Sequence, residues 1–168
     1  VHEACYVMER QKIQQTEIDS AVKFRLGFPM GIFELADFTG LDVIHKATVE
    51  MHVRDKKVIL PHPTIEQLFN EKKLGQKSGE GFYKYSDDKY ERIPLSEELA
   101  QKCDPVQIIA NILNNAAWLV TNNASDIDEI EKAANLGLGL KKPLFDTAKE
   151  MGIKKIVEEL KKLSKKHG

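Results

Sequence analysis

Gly27-Phe28-Pro29-Met30-Gly31-Ile32-Phe33-Glu34-Leu35-Ala36-Asp37-Phe38-Thr39-Gly40-Leu41 is the stretch from which the rest of the chain can be read. Two glycines around a proline force a turn, because glycine tolerates positive φ and proline fixes its own φ while pushing its predecessor out of helical space. Ile32 to Phe38 then reads as a short apolar helix ended by Thr39-Gly40. A further helix runs from about Asp42 through Ile44, Ala47 and Met51. Upstream, Thr16 with Asp19 three residues on has the form of a capping box, and opens a helix with Ile18, Ala21, Val22 and Leu26 along one side and Gly27 at its end.

The same order of residues recurs. Thr16-Glu17-Ile18-Asp19, a glycine, a proline, Phe33, Ala36 and Gly40-Leu41 are echoed by Ser125-Asp126-Ile127-Asp128, Gly137, Pro143, Phe145, Ala148 and Gly152-Ile153. The spacing is 109 at the Ile-Asp pairs and 112 at the later glycines, which implies a three-residue insertion between them. Glu3-Ala4 and Asn115-Ala116 occupy comparable places in the preceding helix. These are two copies of one helical unit, each too short to bury its apolar face alone, so they are expected to pack together with pseudo-two-fold symmetry. The expected class is all-α, with units at 1–94 and 95–168.

Between the copies, Pro61-His62-Pro63 is a stiff connector, Thr64 opens a helix with Gln67 in the box position, and Gly75 stops it. Phe82-Tyr83-Lys84-Tyr85 is the one aromatic alternation that suggests extended chain, and Ser86 to Pro94 reads as a charged link. Asp104-Pro105-Val106-Gln107 is a strong helix start ahead of a broad apolar face from Ile108 to Val120. Ile153, Ile156, Val157, Leu160 and Leu163 stripe the last helix, with lysines opposite.

The 168 residues are 42% hydrophobic and 30% charged, a balance that supports a packed core rather than disorder. A formal charge of -1 excludes a global field for nucleic acid or an anionic membrane, and the lysine-rich stretch from Lys154 to Lys166 reads as a solvated helix face. No apolar run approaches the roughly 18 residues that span a bilayer. Cys5 and Cys103 are too few for a disulfide scaffold, so a reduced, cytoplasmic chain is expected. His2, His45, His52, His62 and His167 have no ligand spacing, and no metal site is expected.

Gly75 to Gly81 lacks the order of a phosphate loop, and Gly137-Leu138-Gly139 lacks the third glycine of a dinucleotide fingerprint. Caps and salt bridges account for Glu34, Asp37 and Asp42. Core or interface packing accounts for Trp118, Phe33, Phe38, Phe69, Phe82 and Tyr83. Ala4, Val7 and Met8 already form a helical stripe with no capping residue before Val1, which fits either ordinary removal of an initiator Met or a fragment with more protein in front.

Gly27 to Asp37, continuing to Gly40-Leu41-Asp42-Val43, resembles the C-terminal domain of the L-3-hydroxyacyl-CoA dehydrogenases. Gly75-Gln76-Lys77-Ser78-Gly79-Glu80-Gly81-Phe82-Tyr83-Lys84-Tyr85 is similar to that family's motif at the end of the domain. Together with Thr16 to Ala21 these cover about residues 1 to 90, and 95 to 168 resemble more loosely the second copy found in multifunctional members. The resemblance implies a helical domain of the 6-phosphogluconate dehydrogenase C-terminal-like type that forms a substrate cleft and a dimer contact. NAD and a catalytic His–Glu pair would belong to an N-terminal Rossmann domain absent from these residues, and an active-site Asn-Arg pair would lie just before Val1.

Catalytic and cofactor-binding residues are therefore expected to be absent here. What carries over is the wall of the cleft, at Phe28, Pro29, Met30 and Gly31. In the second copy Gly139-Leu140-Lys141-Lys142-Pro143-Leu144 replaces that turn with a basic one, which suggests a structural partner to the first. The implied function is oxidation of L-3-hydroxyacyl-CoA to 3-oxoacyl-CoA in fatty-acid β-oxidation by a parent enzyme, the fragment alone being inactive. Implied partners are the acyl-CoA, the Rossmann domain, a fused enoyl-CoA hydratase module in longer members, and a second copy in a homodimer. The alternatives are a non-catalytic helical assembly module, and the helical domain of another β-hydroxyacid dehydrogenase, whose catalytic lysine has no counterpart here.

Overall fold

A computed structural model describes residues 1–86 and 94–167, without the side chains of 165–167. Most of the charged link and the last lysines of the C-terminal run lie outside the described residues. Among the described residues ten α-helices form: α1 (His2–Gln11), α2 (Gln15–Ser20, continuing as a π-helical turn, Ala21–Arg25), α3 (Ile32–Thr39), α4 (Leu41–Arg54), α5 (Pro63–Asn70), α6 (Glu97–Ala100), α7 (Val106–Thr121), α8 (Ile127–Leu138), α9 (Leu144–Met151) and α10 (Ile153–His167). No strand is formed among the described residues. Around the aromatic alternation after the 3₁₀ turn Gln76–Ser78, isolated antiparallel bridges join Gly75 to Glu80 and Glu80 to Lys84 among the described residues.

The repeat is present, and its register differs from the expected one. α2 is capped at Gln14 with Glu17 reaching back, and α8 at Asp126 with Glu129 reaching back, so the two capping boxes stand 112 positions apart. Ile18 and Ile130 are both buried one residue further on. Gly27 and Gly139 both turn with positive φ (76° and 65°), as do Gly40 and Gly152 (97° and 90°). The spacing is 112 throughout, and there is no three-residue insertion. Asp19 is not a box residue at all: it is buried inside α2, and its counterpart is Glu131 rather than Asp128.

The glycine turns meet at the pseudo-two-fold axis. Lys141 N–H donates to the Gly27 carbonyl at 3.4 Å, and Pro29 packs on Gly139. Exchanging 27 with 139 and 29 with 141 maps each contact onto the other, which is the signature of two-fold symmetry. One apolar core runs through both units, joining Ile18, Val22 and Phe33 to Ile109, Ile130 and Leu144. Each such side chain stabilises by about 1.5–3 kcal/mol when fully buried, and sharing the core lets two small units reach a size neither has alone.

Two further expectations are corrected. α5 starts at Pro63, with the His62 imidazole as its cap accepting from Thr64 N–H (3.2 Å), while Gln67 bonds Glu71 along the helix instead of closing a box. Of the aromatic residues read as core or interface packing, Trp118 and Phe38 do not belong to the core: they are 59% and 63% exposed on the outer sides of their helices.

Candidate functional site

Two carboxylates of the first unit hold the segment from Gly75 to Ser86 as a flap over α2 and α3. Asp19 accepts the Phe33 and Glu34 N–H groups at 2.8 and 3.0 Å, which satisfies the first turn of α3, and the Tyr83 hydroxyl donates to it at 2.8 Å. Asp37, at the far end of α3, accepts Phe82 N–H and Tyr83 N–H (both 2.9 Å) and the Tyr85 hydroxyl (2.8 Å). α3 is thereby clamped at both ends. Glu34 closes the N-terminal box by accepting from Gly31 N–H at 2.7 Å.

Close approach explains two glycines. A Cβ on Gly31 would fall inside the Asp19 carboxyl group, and one on Gly81 inside that of Asp37. Burial pushes the Asp19 carboxyl up to about 6 in spite of its three donors, and raises Asp37 in the same direction for the same reason. The Tyr83 phenol is raised by burial and by the neighbouring Asp19 charge. Both carboxylates are thus engaged in holding backbone and phenol groups; Asp37, read as a cap or salt-bridge partner, instead accepts from the flap, which sequence spacing does not reveal.

The motif that superficially resembles a phosphate loop is occupied by its own structure. Ser78 Oγ accepts from Leu74 N–H and lies within hydrogen-bond distance of the Gly75 and Glu80 carbonyls, and Lys77 pairs with Asp42 at the start of α4. The expected wall residues lie on the turn beside this clamp. Phe28 is half-buried on the core, Pro29 is exposed against the second unit, Met30 is half-buried, and Gly31 is buried against Asp19. In the second unit Lys142 pairs with Glu150, and Lys149 stands where the first unit has Asp37.

Three of the scattered histidines come together where α1, α4 and α5 meet. His62 N–H donates to His2 Nδ1 (3.3 Å), and His2 Nε2 lies 2.9 Å from Thr48 Oγ1. His62 is buried with Tyr6 edge-on at 4.5 Å and Glu9 at 3.3 Å from its Nε2. His45 stacks on Phe69 and lies 2.5 Å from Glu66. Burial, the N-terminal ammonium and the other two imidazoles lower His2 to about 4. Spacing alone could not find this junction, because its members come from three helices. Among the described residues no group of three His, Cys, Asp or Glu side chains could hold a metal ion, and no helix is long and apolar enough to cross a membrane. Cys5 and Cys103 are buried free thiols, pushed up to about 12 by burial.

Comparison with known proteins matches this geometry to one family. Over 85 residues the chain is 42% identical to the mitochondrial hydroxyacyl-coenzyme A dehydrogenases of Rattus norvegicus and Homo sapiens, covering 49% of this chain and 27% of each relative. The chain thus spans just over a quarter of the curated relatives it matches. The crystal structure of 3-hydroxybutyryl-CoA dehydrogenase from Escherichia coli aligns with 99% of this chain and 54% of its own, with a TM-score of 0.72 at 18% identity, a likeness of fold. The dehydrogenase part of a multifunctional enzyme from Caenorhabditis elegans aligns with 77% of this chain and 34% of its own, with a TM-score of 0.53 at 21% identity. The family model described as 3-hydroxyacyl-CoA dehydrogenase, C-terminal domain, matches residues 1–85, half of the chain, and the protein belongs to that family.

Proposed function

We propose that this chain is the substrate-cleft and dimerisation region of an NAD-dependent 3-hydroxyacyl-CoA dehydrogenase that oxidises L-3-hydroxyacyl-CoA to 3-oxoacyl-CoA in fatty-acid β-oxidation. The observation that carries it is the clamped α3 with its glycine-proline turn, which lies within the residues the family model matches. Phe28, Pro29, Met30 and Gly31 form the wall that meets the acyl chain. A turn held by Asp19 and pinned by a proline pays little conformational entropy when it binds an apolar chain. NAD and the catalytic acid–base pair belong to a Rossmann domain outside these residues, which supplies hydride acceptance and proton transfer at C3.

The first repeat is assigned to residues 1–94 and the second to 95–168. The second acts as structural partner, because it carries lysines in place of the apolar turn and Lys149 in place of Asp37. With both copies in one chain, the pseudo-dimer contact is made internally, and a reducing compartment such as the cytoplasm accommodates the two free thiols. The test compares the purified 168-residue chain with the longer protein that includes the residues preceding Val1. Acetoacetyl-CoA-dependent NADH oxidation is expected from the longer protein and none from the chain alone. Turnover by the chain alone, or a longer protein with no Rossmann sequence and no turnover, would overturn the reading.

A further inference from the structure

The histidine junction fixes its own tautomers. His62 Nδ1 accepts from Thr64 N–H (3.2 Å), and His2 Nδ1 accepts from His62 N–H (3.3 Å). A ring nitrogen that accepts carries no proton, so each imidazole is held in the neutral form with its proton on Nε2. His2 then donates through Nε2 to Thr48 Oγ1 (2.9 Å), whose own hydroxyl donates to the Ile44 carbonyl inside α4 (2.8 Å). This one-way relay ties the start of α5 to α1 and α4. At the 112-position offset, Asn114, Val157 and Leu160 stand for His2, His45 and Thr48 and line the cleft between α7 and α10. The second unit thus places an amide and two aliphatic side chains where the first has two imidazoles and a hydroxyl.

Protonation sets N–H against N–H. An imidazolium carries hydrogen on both nitrogens, so either the Thr64 to His62 bond or the His62 to His2 bond is lost and a buried charge takes its place. From α1, the junction is faced by the Tyr6 ring edge and by Glu9, 3.3 Å from His62 Nε2 without an aligned hydrogen bond. Glu9 favours an imidazolium at Nε2 but stands at the wrong nitrogen to replace the bonds made at Nδ1. Arg10 lies over Tyr6 and pairs with Glu3, and the Val1 ammonium repels a charge on His2. From α4, His45 adds to that repulsion; from α5, Glu66 is engaged with His45, and Lys72 lies over Phe69. Burial is the largest cause that holds His2 down at about 4. His52, nearer the end of α4, differs: its Nδ1 meets the Val58 carbonyl, an acceptor, so protonation leaves that bond in place.

We propose that His2 and His62 form an acid-sensitive latch, which seats α5 while both imidazoles are neutral and releases it, with residues 71–74 behind it, when either is protonated on Nδ1. The latch reaches the flap, because residues 71–74 lead into it and the Leu74 carbonyl accepts from Leu41 N–H at the start of α4 (3.1 Å). Asp37 holds the far side of the flap at Phe82 and Tyr83, so acid loosens its near side first. The His2 contribution is complete above pH 6.5 and is lost as pH falls toward 4. The response is confined to the first unit.

Native-state hydrogen exchange of the 168-residue chain, corrected for the intrinsic rate at each pH, reads the latch segment by segment. Between pH 7.5 and pH 5 the protection of residues 65–74 is expected to fall about tenfold or more, and that of α7 and α10 to change less than threefold. His2→Asn combined with His62→Asn keeps an acceptor oxygen near the place of each Nδ1, asparagine being a favoured helix cap, and is expected to flatten the response. Ring ¹⁵N shifts of the unsubstituted chain do not depend on that variant folding. They are expected to show both histidines as Nε2–H tautomers at pH 7.5 and to titrate in step with the loss of protection. Protection of α5 that ignores pH, an equal loss in both units, a response that survives in the folded double variant, or an Nδ1–H tautomer of either ring would each overturn the proposal. None of these readouts involves turnover, so their failure leaves the dehydrogenase reading standing.

Discussion

Replacing Asp37 tests the clamp most directly. Asp37→Ala removes the acceptor of two backbone N–H groups and one phenol, those of Phe82, Tyr83 and Tyr85. A hydrogen bond to a charged group contributes about 1.5–3 kcal/mol net, so three would suggest a loss well above 4. The flap can lift into water and recover partners there, and this limits the loss to the free energy of docking it, about 2–4 kcal/mol. Asp37→Asn keeps one acceptor oxygen and should cost about half as much. The second unit is an internal control, since it keeps helices at the positions of α3 and α4 with Lys149 in place of Asp37. Native-state hydrogen exchange at Phe82 and Tyr83 is therefore expected to accelerate by about 30- to 1000-fold in Asp37→Ala, with the amides of α7 and α10 far less affected. Acceleration below about threefold, with unchanged urea stability, would refute the reasoning that this carboxylate holds the flap.

Other perturbations probe the remaining parts. Glu131 caps α9 through Leu144 N–H (2.7 Å) and Phe145 N–H (2.8 Å), so Glu131→Ala should lower stability by about 1–2 kcal/mol in urea titrations. Gly31→Ala drives a methyl group into the Asp19 carboxyl and should cost about 2–4 kcal/mol, read as a fall in the melting temperature. Asp19 sits at about 6 in the folded chain against 3.8 for the free group, so the folded state holds its proton more tightly; its contribution is complete below pH 4 and is lost as pH rises through 6. The stability difference between the parent chain and Asp19→Asn should accordingly shrink by about 2 kcal/mol from pH 4 to pH 7, and a flat difference would contradict the burial argument. His2 has the opposite sign: lowered to about 4 from 6.5, it favours folding above pH 6.5 and loses that contribution as pH falls through 4, so His2→Gln should reduce acid sensitivity in that window.

Local chemistry is legible wherever a residue type does one thing. The positive-φ glycines that end α3 and α9, the Asp104-Pro105 start of α7 and the stripe of α10 all follow from backbone and periodicity, and each forms where expected. The capping of α2 was misread because Thr16-x-x-Asp19 and Gln14-x-x-Glu17 both fit a box, and Gln is the less favoured cap. Burial selects between them, since Asp19 is wanted elsewhere by the first turn of α3. The register error has the same origin. Identical Ile-Asp dipeptides attract an alignment at 109, while the functional pair is Asp19 with Glu131, a different residue type doing the same capping at 112. The glutamates of the two boxes, Glu17 and Glu129, were the sequence signal that could have found it.

From its sequence alone, this protein's helical class, its internal duplication, the turn from Phe28 to Gly31 and its family resemblance were determined, because periodicity, proline, glycine and long ordered motifs act over a few residues. Only the tertiary structure decided which carboxylates clamp α3 and that three histidines meet between α1, α4 and α5. Those outcomes depend on which helices lie against which. Burial and hydrogen-bond partnership across tens of residues are properties of packing, not of any local stretch of chain.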